Sequence, residues 1–503
     1  TSSTGESPTG MLAYESDHLP AEYRGDILVT TWGEHRIDRY HLNRDGASFT
    51  ATSQPMVAGG EHFRPAGIAV APDGSLYVGD WADRSYPLHS KGRIWHITRH
   101  DPETSEDSER RSTAQTADLR AADLKTREDV ARRLLTQGES GALELADALQ
   151  NDTDARVRSV ALAALISADA VTRELANHVL RDSNDALREQ AVRTLPGQLI
   201  DFAAVAKQDS SPAVQAAALR RIVDADAESL LLKRLADADP FMQQAARLGL
   251  GRSVDAQRLL ELTNSRRPEV RLAAVLLLRG GPNVAVNSQS PTSADADELN
   301  AVIARTIDDP DPRVRFAAVE WIGRDELKQF RQPLIDGLAA GATNPQLFEA
   351  WIAALAQLDG VMQHWTKGSV GDWWVKKANS HKYAAKLLDD SRTSPAVLRQ
   401  VLLFLPPNHS ALTVSRLQDL LQSDDEQLRL ESVRRLRGID SEEAKSIVSS
   451  LARDEPSEAV LRAEAVIGLD SSKPNDRGLL LALAFDENAA VSQEAIRTLR
   501  GTL

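Results

Sequence analysis

Hydrophobic positions recur three to four residues apart from about Ala121 to Leu503, the spacing of one face of an α-helix. One motif repeats along this stretch: a turn with aspartate or proline, an aliphatic anchor, often an arginine, and a small residue four positions after the anchor. Most anchors are about 27–33 residues apart, which is enough for two short helices and their turns. The anchors are Val157, Leu187, Val214, Met242, Val270, Val314, Leu347, Val397, Leu428, Leu461 and Val491.

One helix pair cannot bury its apolar face alone, so successive pairs are expected to stack around a continuous core. The small residue lies one turn from the anchor on the same face and lets the next helix approach closely. Residues 311–319, with the sequence DPRVRFAAV, resemble HEAT repeats of the short, phycocyanobilin-lyase-like kind. The pattern therefore predicts a mainly α fold, an α-solenoid of HEAT-type helix pairs. The small residues include Ala161, Ala191, Ala218, Ala246, Ala274, Ala318, Ser432, Ala465 and Ala495.

Three dipeptides mark predicted helix starts within the repeats. Aspartate and serine accept hydrogen bonds from the first free backbone N–H groups of a helix, and proline presets the first helical φ angle. The dipeptides are Asp239-Pro240, Asp311-Pro312 and Ser394-Pro395.

The first hundred residues follow a different pattern, in which short apolar runs alternate with turns. Asp-Gly pairs at Asp45-Gly46 and Asp73-Gly74 favour tight hairpin turns, because both residue types tolerate positive φ. The pattern predicts a small all-β region before the helices. The expected strands are residues 26–30, 67–70, 75–78 and 93–97.

These patterns divide the chain into three parts: the β region at 1–99, a linker at 100–118 and the repeats at 119–503. The linker is polar, charged and without hydrophobic periodicity, as linkers usually are. Two anchor intervals are longer than the others and predict insertions near 281–298 and 360–380.

Charge and composition narrow the classes of function. The net charge of −14 argues against a nucleic-acid partner, because an acidic chain repels phosphate backbones. The chain contains no cysteine, which excludes disulfides, thiolate metal sites and covalent haem c attachment within it. No run approaches the roughly 18 apolar residues of a membrane-spanning helix. The chain begins at Thr1, so we expect a piece of a longer protein, with any signal region outside it.

Part of the β region resembles a known enzyme family. Residues 7–11 (SPTGM), 20–29 (PAEYRGDILV), 64–78 (RPAGIAVAPDGSLYV) and 92–94 (GRI) look like the last blades of the soluble glucose/sorbosone dehydrogenase β-propeller. Members of that family can bind pyrroloquinoline quinone and calcium and oxidise sugars, with a histidine as the general base. By this resemblance the base histidine lies upstream of this chain.

The order of the parts resembles a larger architecture. Asp80-Trp81 and Gly92-Arg93-Ile94, followed by HEAT repeats, look like the large "membrane-bound dehydrogenase", haem-binding proteins of planctomycete and verrucomicrobial type. That resemblance implies a periplasmic or cell-envelope location and a haem c domain downstream. It implies no cofactor for this chain alone.

Four residues are candidates for contact with the quinone in a complete propeller. Arg64 falls where quinone-binding members place an arginine, which would pair with the carboxylates of the quinone; alternatively, it leads into a strand. The family's cofactor-contacting lysine aligns with Gly33, and Arg36 lies nearby. His35 and His62 are on loops that the family turns toward the propeller axis.

Asp80 and Asp83 flank Trp81 at the end of a predicted strand. Their carboxylates are the kind of ligand that calcium prefers. The alternative is that Asp80 caps a turn while the tryptophan packs against the next blade.

The second insertion is the candidate surface for a protein partner. It contains Trp365, Trp373 and Trp374 together with Lys376, and aromatic and cationic residues together often form binding hot spots. The alternative is that the tryptophans fold back over the repeats as additional core.

The repeat arginines recur too regularly for a substrate site. We expect them to form a ladder with the repeat aspartates along the stack. They are Arg158, Arg188, Arg271, Arg315, Arg429 and Arg462.

Two functional hypotheses remain open. The first is a scaffold whose repeats hold a protein partner or a neighbouring domain of the same polypeptide, with no catalysis by this chain alone. The second is part of a quinone- or haem-linked sugar or alcohol dehydrogenase. No phosphate-binding loop, nucleophile elbow or nucleophile–base pair is present in the sequence.

Overall fold

The computed structural model describes most of the chain: residues 7–85, 88, 90–99, 119–121, 123–280, 295–341, 344–360, 381–454 and 458–500. The predicted linker up to residue 118, residues 281–294 of the first insertion and residues 361–380 of the second lie outside the described residues. The fold is mainly helical, with a small antiparallel β region at the N-terminal side, as the sequence predicts. The chain divides into two compact units, Thr1–Asp255 and Ala256–Leu503.

The first unit contains seven strands and nine α-helices within its described residues. The strands are β1 (Pro8–Ala13), β2 (Ile27–Thr31), β3 (Arg36–Asp45), β4 (Ser48–Ala58), β5 (Pro65–Val70), β6 (Leu76–Asp80) and β7 (Arg93–Ile97). The helices are α1 (Leu124–Leu135), α2 (Glu139–Asn151), α3 (Ala155–Ser167), α4 (Arg173–Val179), α5 (Asp185–Thr194), α6 (Phe202–Gln208), α7 (Pro212–Arg221), α8 (Glu228–Arg234) and α9 (Pro240–Ser253).

The second unit is helical throughout its described residues. Its helices are α10 (Ala256–Leu262), α11 (Pro268–Leu278), α12 (Ala296–Thr306), α13 (Pro312–Arg324), α14 (Arg331–Gly341), α15 (Pro345–Leu358), α16 (381–387), α17 (Pro395–Phe404), α18 (Val414–Leu420), α19 (Glu426–Leu436), α20 (Glu442–Arg453), α21 (Ala459–Val466), α22 (Pro474–Leu483) and α23 (Ala489–Arg500).

The strands form two antiparallel sheets, β1-β2-β3-β4 and β5-β6-β7. Leu28 and Ile37 from the first sheet share a core with Leu76 and Val78 from the second, and all four are fully buried. The predicted Asp45-Gly46 turn joins the long hairpin β3–β4, whose strands the sequence did not reveal. The reason is that β4 is largely exposed, so it shows little alternation of apolar and polar residues. The propeller itself stays a prediction.

The anchors and the small residues that the sequence predicts as the contact between repeats are buried. Every anchor lies three positions after the residue that precedes its helix and is at most 6% exposed. The nine small residues are each 0% exposed. The anchors and small residues therefore form the buried seam that the sequence predicts.

The predicted helix starts are confirmed at two positions and differ at the third. Asp239 accepts a hydrogen bond from the N–H of Phe241, and Asp311 accepts one from Arg313. Ser394 makes no side-chain cap, although proline follows it. Its own carbonyl accepts the N–H groups of Val397 and Leu398, so this helix begins with backbone hydrogen bonds alone.

Candidate functional site

Three loops meet at one end of the two sheets. They are residues 32–35 between β2 and β3, residues 59–64 between β4 and β5, and the described residues 81–85, 88 and 90–92 between β6 and β7. The antiparallel register places them together, because Thr31 pairs with Arg36 and Asp80 pairs with both Pro65 and Arg93. All six cofactor and calcium candidates of the sequence lie in or next to these loops.

Asp80 connects the loops through a fully used carboxylate. Its Oδ1 accepts the backbone N–H groups of Arg64 at 2.7 Å and Ala82 at 2.8 Å. Its Oδ2 accepts the indole N–H of Trp95 at 2.8 Å and Nη2 of Arg93 at 2.9 Å. Burial alone would raise the pKa of Asp80, but these hydrogen bonds and the charge of Arg93 together hold it below its ordinary value. Asp80 therefore serves as a structural centre of the β region.

Arg64 is packed inside this end of the sheets rather than presented to solvent. It is 5% exposed, its Nη1 donates to the carbonyl of Trp32 at 3.2 Å, and its guanidinium lies 4.4 Å from the centre of the Trp32 ring. A guanidinium that stacks and bonds in this way holds its own loop, residues 59–64, against the loop that contains Trp32. It is poorly placed to pair with the carboxylates of a ligand.

The remaining candidates are dispersed among local partners. His35 has a left-handed backbone (φ 59°), and its Nδ1 lies 3.0 Å from the carbonyl oxygen of Phe63. Arg36 pairs with Glu34 and with Asp38, and the hydrogen bond to Asp38 raises the pKa of Arg36.

His62 and Asp83 lie at the outer side of the same loops. The carbonyl of His62 accepts a hydrogen bond from Arg93, while its side chain is exposed beside a cleft. Asp83 accepts a hydrogen bond from Lys91 at 2.8 Å, which lowers the pKa of Asp83.

The described residues do not fit a quinone or a calcium ion. The guanidinium of Arg64 is buried against Trp32, a glycine stands at position 33, and each oxygen of Asp80 already accepts two hydrogen bonds. Within the described part of the chain, no group of three or more histidine, aspartate or glutamate side chains is arranged to hold a metal. The cofactor and calcium assignments stay predictions that this geometry does not support.

The predicted partner surface cannot be placed, because Trp365, Trp373, Trp374 and Lys376 lie outside the described residues.

A second set of contacts lies at the opposite end of the sheets, where the β3–β4 hairpin meets the helices of the first unit. The backbone N–H of Ala47 donates to Oδ2 of Asp239 at 2.7 Å. Arg44 pairs with Glu189 at 3.0 Å. Because Asp239 precedes α9 and Glu189 belongs to α5, the hairpin tip spans non-adjacent repeats. A polar cleft of about 390 Å³ remains between the tip and the start of α7.

Asp239 divides its carboxylate between its own helix and the hairpin. Oδ1 accepts the N–H of Phe241 at 2.7 Å, while Oδ2 accepts that of Ala47. Gly46 has φ 57°, and a Cβ atom there would come within 2.3 Å of Oδ2 of Asp239. Glycine is therefore required for the close approach as well as for the turn.

The loop after β1 adds a further contact to the helices. Arg156, near the start of α3, donates to Asp17 at 3.0 Å and to the carbonyl of Glu15 at 3.3 Å. The β region thus touches the N-terminal ends of α3 and α9 and the first turns of α5.

The arginine ladder is confirmed at four of its six predicted arginines, and its geometry is repeated. The guanidinium of Arg188 makes two parallel bonds of 2.9 Å to Asp209 of the next repeat, and Nη1 donates to the carbonyl of Asp182 at 2.8 Å. Asp209 also accepts the N–H of Ser211, the residue that precedes α7. Each arginine–aspartate rung therefore joins two repeats and closes the turn before a helix. The rungs are Arg158–Asp182, Arg188–Asp209, Arg271–Asp309 and Arg462–Asp486.

Other repeats keep only part of this arrangement. Arg429 pairs with Glu458 in place of an aspartate. Arg315 donates to the carbonyl of Asp309 at 2.8 Å. Gln215 and Gln243, at the position of the arginine, donate to the equivalent backbone carbonyl at 2.6 Å, so the bond to the turn persists without a charge.

Sequence reasoning missed the hairpin contacts because they join residues nearly 200 positions apart, such as Ala47 and Asp239. The available signal was the charged tip Arg44-Asp45-Gly46, which indicated a turn but no partner. Sequence reasoning also missed Trp95 and Arg93 as hydrogen-bond donors to Asp80, because residue spacing does not reveal which residues face each other across two strands.

Among the described residues, no helix is long and apolar enough to span a membrane. A comparison with curated proteins gave no match. Among solved structures, the chain is similar to an engineered protein (19% identity, TM-score 0.24, 76% of this chain and 96% of that one). It is also similar to importin beta (15% identity, TM-score 0.31, 76% of this chain and 55% of that one). Human deoxyhypusine hydroxylase is a third match (15% identity, TM-score 0.21, 55% of this chain and 97% of that one).

At TM-scores this low, the matches bear on neither function nor mechanism. None of the comparisons supports the glucose/sorbosone dehydrogenase or planctomycete-type resemblance. A family model matches residues 3–101, and its description is a domain of unknown function, DUF7133. The β region is therefore similar to a family whose own function is unknown.

Proposed function

We propose that this chain is a HEAT-repeat scaffold that carries a β region on its first helix pairs and binds a protein partner through its repeats. The observation that carries the proposal is the docking of the β3–β4 hairpin on the repeats. Stacked helix pairs present a row of helix N-terminal ends. The hairpin and the loop after β1 contact this row through backbone and charged groups, which supports binding of a further folded element there.

Site-specific crosslinking tests the docking. The chain has no cysteine, so Ala47→Cys and Phe241→Cys introduce two unique thiols that a short bis-maleimide can join. Phe241 is partly exposed and lies next to Asp239, so this pair leaves the carboxylate of Asp239 in place. We expect efficient crosslinking. The control pair, Ala47→Cys with Ser167→Cys, uses the far end of α3, some 19 Å from its start by the usual rise per residue. Equal crosslinking of the two pairs would contradict the docking.

A pair of glycine variants separates the contact from backbone strain. Gly46→Ala places a methyl group against Asp239, whereas Gly25→Ala introduces a similar strain at φ 85° where no atom lies within 4 Å. Hydrogen exchange at the tip of the hairpin should rise in Gly46→Ala and stay unchanged in Gly25→Ala. The same change in both variants would assign the effect to strain.

Partner binding is tested at the tryptophan-bearing insertion. With a photo-crosslinking reagent in cell extract, Trp373→Ala and Trp374→Ala should reduce capture of the partner without lowering the melting temperature, since large aromatic residues dominate interface energies. Lys328→Ala serves as the exposed control. Unchanged capture by both tryptophan variants would show that the partner binds elsewhere.

The dehydrogenase hypothesis belongs to the complete protein. The observation that favours it is the meeting of three connecting loops at one end of two consecutive antiparallel sheets. The test is dye reduction by the full-length protein loaded with calcium and pyrroloquinoline quinone, over a broad panel of sugars. No reduction would exclude this function. A cell-envelope location and a downstream haem c domain are further parts of the same hypothesis.

A further inference from the structure

We propose that Arg315 is an incomplete rung of the arginine ladder, and that it binds the carboxylate of an aspartate or glutamate side chain of a protein partner. This inference rests on the proposed scaffold function and names the chemical group by which the repeats recognise that partner.

A complete rung uses its guanidinium in two directions. In three of the four rungs, Nη1 donates at 2.8 Å to the carbonyl of the residue six positions earlier, which fixes the guanidinium against the turn. In the same three rungs, Nε and Nη2 form a fork that holds both oxygens of the aspartate of the next repeat at 2.7–2.9 Å. Bidentate pairing of this kind matches the planar shape of a carboxylate. The fork therefore selects a carboxylate by geometry as well as by charge.

Arg315 has the first half of this arrangement without the second. Its Nη1 donates to the carbonyl of Asp309 at 2.8 Å, which is the bond and the distance found in the complete rungs. Its Nε is buried and has no hydrogen-bond partner, and among the described residues no acidic side chain pairs with Arg315. A buried N–H without an acceptor is costly. The guanidinium is thus held in the orientation of a rung while its fork lacks a carboxylate.

The sequence accounts for the missing acid. In the complete rungs the aspartate stands two residues before the residue that precedes the next helix, as Asp209 does before Ser211. The neighbour of α13 is α15, which is preceded by its cap, Asn344. The residue at the corresponding position is Ala342, which lies outside the described residues. The repeat motif therefore supplies no carboxylate to Arg315.

The acidic residues in the turn before α13 have other partners. Asp309 holds the fork of Arg271 with two bonds of 2.7 Å. Asp311 pairs with Arg313 at 2.9 Å. A carboxylate from another molecule would complete the rung at Arg315 without breaking either of these pairs.

Arg429 shows that a carboxylate can reach such a fork from solvent. Its Nη1 donates to the carbonyl of Ser423 at 2.6 Å, and its Nη2 pairs with Glu458, whose side chain is 50% exposed. Arg315 is likewise partly exposed, and the adjacent Phe316 is 40% exposed. Arginine and aromatic residues are both enriched in protein interfaces. The ladder itself therefore provides the precedent for an aspartate or a glutamate as the occupant.

Carbodiimide coupling tests the inference in the full chain. Arg315→Lys places an amine at the fork, and a water-soluble carbodiimide joins this amine to a carboxylate in contact with it. In cell extract we expect an amide between position 315 and an aspartate or glutamate of a partner, located by mass spectrometry. Arg188→Lys is the positive control and should couple to Asp209 of its own chain. Gln243→Lys, at the equivalent position of another repeat, should not couple to the partner's acid.

The affinity of the purified partner then measures the rung. Changing the coupled acid to its amide should weaken binding to the original chain about tenfold or more, a loss of roughly 1.4 kcal/mol or more. Arg315→Gln should weaken binding equally, and the two changes together should be no worse than either alone. Gln215 and Gln243 keep the bond to the turn carbonyl, so Arg315→Gln should keep it too and leave the melting temperature unchanged.

Several outcomes would overturn the inference: an amide from position 315 to a carboxylate of this chain, equal coupling of the partner by Gln243→Lys, or additive losses from the two amide changes. Protection of Arg315 from phenylglyoxal by millimolar inorganic phosphate, without coupling to a partner, would assign the fork to a free anion instead.

The same experiment separates this inference from the scaffold function. No coupling at position 315, with partner capture by photo-crosslinking intact, would reject the inference and leave the scaffold function standing. Coupling at position 315, with capture unchanged in Trp373→Ala and Trp374→Ala, would support the inference and place the partner at the ladder rather than at the insertion.

Discussion

The helical repeats and the β region handle buried charge in different ways. In the part of the repeats that the structure describes, an arginine–aspartate rung recurs at four places, and each rung joins only neighbouring repeats. In the β region, one aspartate, Asp80, serves donors from three loops and strands. The comparison teaches that the repeats spread their polar contacts over equivalent positions, whereas the β region concentrates four of them on one carboxylate.

The largest effect is therefore expected at Asp80. Asp80→Ala removes four hydrogen bonds and leaves two backbone N–H groups, an indole N–H and Arg93 without their acceptor, so unfolding of the β region should become easier by about 3–5 kcal/mol. Hydrogen exchange at residues 65–80 and 93–97 measures this loss. Asp83→Ala, which removes an exposed pair with Lys91, is the matched control and should change little. Similar effects of the two substitutions would contradict the central role of Asp80.

The stability that Asp80 contributes to the β region should depend on pH. The pKa of Asp80 is lower in the folded chain than in the unfolded chain, so its contribution to stability is fully present above the ordinary aspartate pKa and is lost as the pH falls through its folded value. Exchange protection of β5–β7 should therefore fall on acidification, and less so in Asp80→Ala. Parallel acid profiles of the two proteins would show that other groups control the loss.

The sequence predicts the packing of the repeats better than that of the β region, because contacts in the repeats recur between neighbouring, equivalent units. Each anchor and small residue, such as Val314 and Ala318, packs against a neighbouring repeat. Its burial therefore follows from the spacing of the repeat motif alone. Ile37 and Arg64 depend on partners from other strands and loops. The sequence offered Arg64 as a quinone contact or as a residue that leads into a strand, and it did not reveal the packing of Arg64 against Trp32. The contact between Ala47 and Asp239 joins the β region to the repeats. Neither the strand pattern nor the repeat motif predicts it.

A single rung should have a smaller, local effect. Asp209→Ala leaves the largely buried Arg188 without its bidentate acceptor, and we expect about 1.5–3 kcal/mol of lost stability, confined to the repeats around α5 and α7. A double-mutant cycle with Arg188→Met measures the coupling. At the equivalent position of the next repeat, Gln215 bonds only to the backbone carbonyl of the turn. Arg188→Gln can keep that one bond, so it should be less destabilising than Arg188→Met. A loss that spreads equally over all helices of the unit would contradict nearest-neighbour stacking.

The seam between repeats gives the next effect. Ala318 is 0% exposed beneath the neighbouring repeat, so Ala318→Leu should overpack the seam and cost roughly 1–3 kcal/mol. Ala301→Leu, at an exposed position of α12, adds the same atoms outside the core and should be nearly neutral. Thermal unfolding compares the two, and an unchanged melting temperature in Ala318→Leu would show that the seam is misplaced.

The smallest effect is expected where the two regions meet. Arg44 and Glu189 form a partly exposed pair, and such pairs contribute under about 1 kcal/mol and weaken with salt. Arg44→Ala should leave global unfolding unchanged, yet it should raise exchange at the hairpin tip and reduce crosslinking between positions 47 and 241. Salt should have the same effect on the original chain and little on the variant. If the variant and the original chain respond equally to salt, charge does not hold the hairpin, and the bond from Ala47 to Asp239 joins the β region to the repeats without its help.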